Sequence, residues 1–278
     1  MPEGPEIRRA ADRIATILTG EVAQEVYLKF ERLQCWRSLL EGHAILGVES
    51  RGKAMLIHSA AGITLYSHNQ LYGRWYTRRR GSQPPKTSRD RRLQITNRRG
   101  TASLYSASDI HVMLTEDVDE FPPIQKLGPD LLSAKVDDDA VLARLSEAAF
   151  QRRGLAGLFL DQGFLCGPGN YLRSEILFIS GLHPRRTLGS LSDRERLRLA
   201  KAARQLTLRA YRTGGITADD ELVSRLKAKR WPRRRYRHYV FARAGERCHH
   251  CKSTIAKEAI SSRRIYICQR CQPRSPAA

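Results

Sequence analysis

Residues 248–271 read Cys-His-His-Cys-Lys-Ser-Thr-Ile-Ala-Lys-Glu-Ala-Ile-Ser-Ser-Arg-Arg-Ile-Tyr-Ile-Cys-Gln-Arg-Cys. Two Cys-x2-Cys pairs, Cys248/Cys251 and Cys268/Cys271, stand 16 residues apart. That spacing predicts a tetrathiolate zinc site, two tight knuckles joined by a β-hairpin. Thr254-Ile255 and Ile265-Tyr266-Ile267 have the side chains of the two strands. Two disulfides are the alternative. They need an oxidising compartment, and no basic segment followed by an apolar stretch supports export. Four thiolates complete a tetrahedron, so His249 and His250 in the first knuckle are expected to be exposed. Cys35 and Cys166 are expected to be buried free thiols.

Immediately upstream, residues 225–237 carry the densest basic run, which includes Trp231 and Tyr236. Its plain reading is a solvated or disordered arm; the aromatics favour an ordered, phosphate-facing segment only weakly. The whole chain repeats the bias. Its 278 residues hold 49 Lys and Arg against 28 Asp and Glu, a formal charge of +21, with a pI of about 10.3. So large an excess points to a polyanion, nucleic acid or an anionic membrane. A membrane is disfavoured because no run of 18 apolar residues exists. The expected setting is the cytoplasm.

Residues 5–19 read as an amphipathic helix, with Ile7, Ala11, Ile14 and Leu18 on one face and Gly20 as its stop. From about 22 to 115, short apolar runs broken by Gly, Asn and Asp predict antiparallel β-structure, a sandwich. The segment 78–92 is expected to be a loop. Pro122-Pro123 and Gly128-Pro129 mark a boundary, after which helices are expected at 137–149, 155–163, 170–180 and 191–212. Residues 213–223 are expected to be a loop. The fold class is α+β: an N-terminal β-sandwich with a leading helix, a helical middle and a C-terminal zinc-bound hairpin. The expected divisions are 1–125, 126–235, 236–273 and a tail at 274–278, with a basic DNA channel between the two main parts.

Several short segments carry chemistry. If Met1 is removed, Pro2 becomes a terminal secondary amine beside the Glu3 carboxyl. A terminal amine is roughly 300-fold richer in its neutral form near pH 7.5 than an ordinary lysine. Attack on an aldehydic carbon gives an iminium that has no N–H proton to lose and is an electron sink for elimination. Many chains begin Met-Pro for no catalytic reason, so the pair gains weight only from its company. Arg51-Gly52-Lys53 enters a strand, where a lysine is ordinarily just solvated. Gly167-Pro168-Gly169-Asn170 separates two apolar helical stretches and offers free N–H groups to a phosphate, with Asn170 as N-cap or donor. A plain helix–turn–helix link is its bland reading. His68-Asn69-Gln70-Leu71-Tyr72-Gly73 is a turn whose apolar side chains either pack inward or occupy a gap in a base stack.

Taken together, Met-Pro-Glu-Gly-Pro-Glu at 1–6, Arg-Gly-Lys at 51–53, Gly-Pro-Gly-Asn-Tyr-Leu-Arg at 167–173 and the four cysteines resemble the formamidopyrimidine-DNA glycosylase/endonuclease VIII family. The bacterial endonuclease VIII branch is closest: Gly4 stands where the guanine-directed branch has leucine. Tyr-Ser-His-Asn-Gln-Leu-Tyr-Gly at 66–73 and Leu-Tyr-Ser-Ala-Ser-Asp at 104–109 are similar to that branch as well. The motifs span Pro2 to Cys271, nearly the whole chain.

The resemblance implies a helix–two-turns–helix in the helical part and a bifunctional DNA glycosylase/AP lyase that removes oxidised pyrimidines from duplex DNA, followed by β,δ-elimination. It makes Pro2 the Schiff-base nucleophile and Glu3 the acid for the deoxyribose ring oxygen. Lys53 assists as proton donor and phosphate contact. Gln70, Leu71 and Tyr72 fill the hole left by the flipped base. Asn170 binds phosphate, and Arg263 on the hairpin contacts phosphate and helps the last elimination. Lys126 departs from the pattern, which has an arginine there; it keeps the charge but loses the bidentate fork. One structural zinc, no organic cofactor, damaged double-stranded DNA as partner and a monomer are expected. Rival readings are the same chemistry with oxidised purines preferred, a non-enzymatic zinc-ribbon DNA-binding protein, and an RNA- or ribosome-associated basic protein. The last two leave Pro2, Glu3 and Lys53 idle.

Overall fold

The computed structural model describes residues 2–260 and 262–274. The opening amphipathic stretch forms α1 (Gly4–Leu18), and Ile7, Ala11, Ile14 and Leu18 are buried as the periodicity requires. Then come β1 (Glu25–Leu28), the short α2 (Arg37–Leu40), β2 (Ile45–Arg51), β3 (Ala54–Ser59), β4 (Ile63–His68), β5 (Arg74–Arg79), β6 (Arg91–Thr96), β7 (Gly100–Tyr105) and β8 (Asp109–Leu114). Two four-stranded antiparallel sheets result, in the orders β1-β6-β7-β5 and β2-β3-β4-β8. Val26, Trp75, Leu93, Ile95 and Leu104 from one sheet share a core with Met55, Ile57, Leu65 and Ile110 from the other, and with the buried face of α1.

Cys35, expected to be buried, is exposed. It lies in a 3₁₀ turn, Glu31–Trp36, whose tight pitch turns Leu33 inward and leaves Cys35 facing solvent. Cys166 is buried as expected.

The helical elements are α3 (Pro122–Gln125), α4 (Asp138–Ser146), α5 (Leu155–Leu158), α6 (Asn170–Ile179), α7 (Asp193–Thr213), α8 (Asp220–Ala228) and α9 (Arg233–Tyr236). Ser192 and Glu195 form a capping box at the start of α7, and Gly214 closes it in the left-handed conformation at φ 71°. The helix expected over 155–163 stops at Leu158. Beyond it the side chains of Asp161 and Gln162 capture backbone groups: Gly163 N donates to Asp161 Oδ1 at 2.8 Å, and Gly167 N to Gln162 Oε1 at 3.1 Å. Such bonds offer the chain two turns in place of a helix. The basic run is not an arm either. Asp219 caps α8, and Leu222, Val223 and Leu226 are buried against Phe178, Tyr239 and Cys248. The loop expected at 213–223 is therefore confined to residues 214–219.

The hairpin pairs β9 (Ala256–Ile260) with β10 (Arg263–Ile267). Its inward Ile265 and Ile267 join the core of α6 and α7. The chain divides into two compact units, Met1–Pro2 with Glu6–Lys126, and Glu3–Pro5 with Leu127–Ala278. The cysteine hairpin belongs to the second. Among the described residues no helix is long and apolar enough to cross a membrane.

Candidate active site

Glu3 is almost fully buried, and its carboxylate sits on the N-terminus of α6. It accepts from Gly169 N at 2.7 Å, Tyr171 N at 2.7 Å and Leu172 N at 3.2 Å. These are the donors that a helix start leaves without intrahelical partners, and the helix dipole adds to them. The arrangement favours the ionised carboxylate. A close approach of two backbones builds the seat. Gly4 N donates to Gly167 O at 2.8 Å, and a Cβ on Gly4 would lie 2.8 Å from Gly167 Cα. A Cβ on Gly169 would lie 2.6 Å from Glu3 Cδ. Glycine at both positions is a steric requirement of this contact.

The N-cap of α6 is Gly169, and Asn170 is the first helical residue. Asn170 therefore does not cap the helix; its Oδ1 accepts from Arg173 at 2.6 Å. Arg173 also donates to Ala156 O at 3.1 Å and to Arg264 O at 3.0 Å. It is fully buried. Burial pushes its pKa down to about 10, helped by the charge of Arg263, while the Glu3 carboxylate pulls the other way. One guanidinium thus ties the Asn170 side chain to the strand that carries Arg263, which is itself exposed at the start of β10. Ser261, beside that position, lies outside the described residues. Arg173 ended the sequence motif without a role, and Glu175, two residues further along the same helix, was not singled out at all. Glu175 accepts from Thr217 Oγ1 and from the backbone of Tyr239, Val240 and Phe241 at 2.5–2.9 Å. Paired charges in an otherwise apolar helix were the available signal.

In the sandwich unit, Pro2 is half-buried. Gly52 and Lys53 form the turn between β2 and β3, where Arg51 pairs with Ala54, and Gly52 takes a φ of 58°. Ala54 also pairs with His68, which brings the Lys53 turn to the same sheet end as the segment 68–73. Burial holds His68 below its usual pKa; Asp109 opposes this and the charge of Lys53 adds to it. Leu71 and Tyr72 are 54% and 66% exposed, so they do not pack inward. The Gln70 side chain accepts from Ser108 Oγ at 2.9 Å. Lys126 is exposed at the end of α3.

The four cysteine sulfurs lie within 4.8 Å of one another. Cys248 and Cys271 are 3.9 Å apart, and Cys251 and Cys268 3.3 Å. Zinc–sulfur bonds of about 2.3 Å in a tetrahedron place sulfurs about 3.8 Å apart, so the donor set fits one zinc ion. Both sulfur–sulfur distances are well beyond the roughly 2.05 Å of a disulfide bond. Among the described residues this is the single His/Cys/Asp/Glu group of that kind. Burial and the neighbouring sulfurs raise Cys271 well above the ordinary thiol range, a crowding that a dication would relieve. His250 is exposed, whereas His249 is half-buried.

Residues 1–107 match the formamidopyrimidine-DNA glycosylase N-terminal domain, and residues 127–221 the formamidopyrimidine-DNA glycosylase H2TH domain. Endonuclease 8 of Klebsiella pneumoniae strain 342 is 42% identical over 272 residues, 98% of this chain and 100% of the relative. The chain belongs to the formamidopyrimidine-DNA glycosylase/endonuclease VIII family. Its members are DNA N-glycosylases with AP lyase activity that act in base-excision repair, and this chain is an enzyme of that kind. Endonuclease 8 of Salmonella agona strain SL483 is 40% identical over the same shares of the two chains. The fold is that of Lactococcus lactis formamidopyrimidine-DNA glycosylase. Its complex with DNA containing an AP site superposes with a TM-score of 0.78 at 18% identity, covering 98% of this chain and 99% of that one. Its complex with DNA containing N7-benzyl-Fapy-dG gives 0.80 at 19% identity, covering 98% and 100%.

Proposed function

We propose that the chain excises oxidised pyrimidines from duplex DNA through a Schiff base on Pro2 and then cleaves the strand by β,δ-elimination. The observation that carries this reading is the Glu3 seat: a carboxylate fixed by three backbone N–H groups, one residue from the proposed nucleophile. The Pro2 nitrogen attacks C1′, and the glycosidic bond breaks as the base departs. The proton released by that nitrogen passes to Glu3, which delivers it to the ring oxygen. The C1′–O4′ bond opens to the iminium. Loss of a 2′ proton expels the 3′ phosphate, and a second elimination expels the 5′ phosphate. Lys53 serves as proton donor in these steps, and water finally releases Pro2. Asn170, Lys126 and Arg263 contact phosphates. Leu71 and Tyr72, with Gln70, occupy the space of the extruded base.

Cys248, Cys251, Cys268 and Cys271 hold a zinc ion that fixes the hairpin, and no step of the reaction runs through it. The working parts are 1–125 for catalysis, 126–235 for DNA binding and 236–273 for the finger, and the enzyme acts as a monomer. The pyrimidine preference is supported by Gly4, by Gln70-Leu71-Tyr72 and by relatives at about 40% identity named endonuclease 8. Borohydride trapping and strand cleavage across single-lesion duplexes test both parts. Adduct on the N-terminal peptide, with thymine glycol and dihydrouracil cut faster than 8-oxoguanine opposite cytosine, is the expected result. Adduct confined to lysines overturns the Pro2 assignment, and faster 8-oxoguanine excision overturns the preference.

A further inference from the structure

The turn that presents Leu71 and Tyr72 is held from three sides. Gln70 adopts a left-handed backbone at φ 52°, and its N–H donates to His68 Nδ1 at 3.1 Å. Its side-chain oxygen accepts from Ser108 Oγ at 2.9 Å and Ser108 N at 3.3 Å. Gly73 N donates to Asn69 O at 2.7 Å, and a Cβ on Gly73 would lie 2.4 Å from that oxygen. The third side is Arg89, whose Nη1 donates to the Tyr72 carbonyl. Arg89 belongs to the basic segment between β5 and β6, yet it is half-buried while Ser88 and Asp90 beside it are exposed. Its own backbone is set by a bond from Arg89 N to Thr87 Oγ1 at 3.1 Å.

Two large apolar side chains in water, on a turn that includes a non-glycine residue at positive φ, have every reason to rearrange. The bonds from Arg89 and Ser108 act on the backbone and on Gln70, leaving the side chains of Leu71 and Tyr72 unobstructed. We propose that Arg89 and Ser108 are positioning residues that keep Leu71 and Tyr72 projecting, ready to enter a base stack. This rests on the reading of Leu71 and Tyr72 as the groups that occupy the space of an extruded base. It gives Arg89 a role within the chain, acting through a neighbouring turn. It also gives a role to the Tyr-Ser-Ala-Ser-Asp motif at 105–109, to which the mechanism assigns none.

The test compares a dihydrouracil duplex with an abasic site in a single strand, where no stack has to be entered. Leu71→Ala is expected to slow duplex cleavage and leave single-strand cleavage within about twofold. Arg89→Ala should lower duplex kcat/KM by about ten- to a hundredfold, the factor carried by a hydrogen bond from a charged donor, and Ser108→Ala by about fivefold. Neither should alter single-strand cleavage or the salt dependence of binding. In a Leu71→Ala/Tyr72→Ala background Arg89→Ala should have almost no further effect, because its action runs through those two side chains. Additive losses, with the salt slope of binding falling by about one for Arg89→Ala, would make Arg89 a phosphate contact and overturn the proposal. A duplex-selective loss in Leu71→Ala with wild-type rates in Arg89→Ala and Ser108→Ala overturns the positioning role alone. Equal rates of Leu71→Ala and wild type on both substrates sink the reading of the turn and this proposal with it.

Discussion

Gly4→Ala is the smallest change that probes the seat of Glu3. The added Cβ would stand 2.8 Å from Gly167 Cα, about 0.6 Å inside the 3.4 Å at which ordinary contact begins. The opposing atom is backbone, so no rotamer change relieves it. Two effects compete. Alanine is the better helix former, by about 1 kcal/mol in a helix interior and less at the first turn of α1. Overpacking against backbone costs about 1–3 kcal/mol, and the displaced segment also holds the Gly4 N to Gly167 O bond. The steric term wins. A net loss of about 1–2 kcal/mol corresponds to a fall in Tm of about 2–8 °C for a chain of this size. The catalytic effect should be larger than the thermal one. A shift of several tenths of an ångström is passed to the adjacent Glu3 and Pro2, and misplacement by about 1 Å can cost about a hundredfold in rate. Borohydride trapping on abasic DNA is therefore expected to slow by about ten- to a hundredfold. Gly47→Ala is the control, since a Cβ there meets nothing within 4 Å; it should keep wild-type trapping. A Gly4→Ala protein with unchanged Tm and trapping rate would refute the close approach and the positioning argument built on it.

Other perturbations separate the remaining roles. Glu3→Gln should suppress base excision more than cleavage at abasic sites, since an acid is not needed once the base is gone; the amide must also set an NH2 against N–H donors, so Tm should fall, and equal loss of both activities would leave Glu3 a purely structural role. Arg263→Ala should keep one zinc per chain while weakening DNA binding and lowering its salt slope by about one; an unchanged slope and product distribution would remove Arg263 from the site. Removal of the proposed zinc with a chelator should reduce Tm and cleavage together, because Cys248 and Cys268 share a core with Phe178, Leu226 and Tyr239, and added zinc should restore both. His68 gives a pH signature. Its folded pKa is lowered, so its contribution is fully present above the unfolded value near ~6.5 and is lost as pH falls from there through the folded value. Stability measured against pH should therefore decline on acidification, and His68→Asn, which retains an acceptor for Gln70 N, should flatten that decline.

What the sequence disclosed follows the range of the interactions involved. The clustering of the four cysteines was legible because their spacing lies within 24 residues, 248 to 271, and suits one tetrathiolate site. Helix α1 and the strands around Met55 and Leu65 were legible because burial on one face imposes a period. Strands β5 and β6 were hidden by their arginines: the expected loop, 78–92, overlaps both ends. Helix α8 carried a readable signal, an Asp219 cap followed by Leu222, Val223 and Leu226, which the density of charge around it obscured. Of the two roles open to Asn170, N-cap or phosphate donor, the cap falls to Gly169, because a cap is set by φ and ψ and not by residue type. The seat of Glu3 and the reach of Arg173 to Arg264 O join residues 166 and 91 positions apart. No local pattern encodes contacts of that kind.

Those distant contacts bear directly on the proposed nucleophile. A nucleophile at a chain terminus is difficult to position, because an end has covalent support on one side only. In this chain the support is transferred to the next residue. Three hydrogen bonds fix the Glu3 carboxylate, and Gly4 is stitched to Gly167 O. The Cα atoms of Pro2 and Glu3 are joined by one planar peptide, about 3.8 Å long, and the proline ring restricts its own φ. Few torsions then remain between the seat and the nitrogen. The Gly-Pro-Gly-Asn segment therefore has two tasks on the proposed mechanism. Asn170 faces phosphate, while Gly167 and Gly169 set the reach of Pro2 through Glu3. Substitutions at Gly167 or Gly169 should accordingly damage imine formation on a single-stranded abasic site, where a defect limited to duplex binding would be silent. A loss seen on duplex DNA alone would assign the segment to DNA binding and leave the terminus positioned by something else.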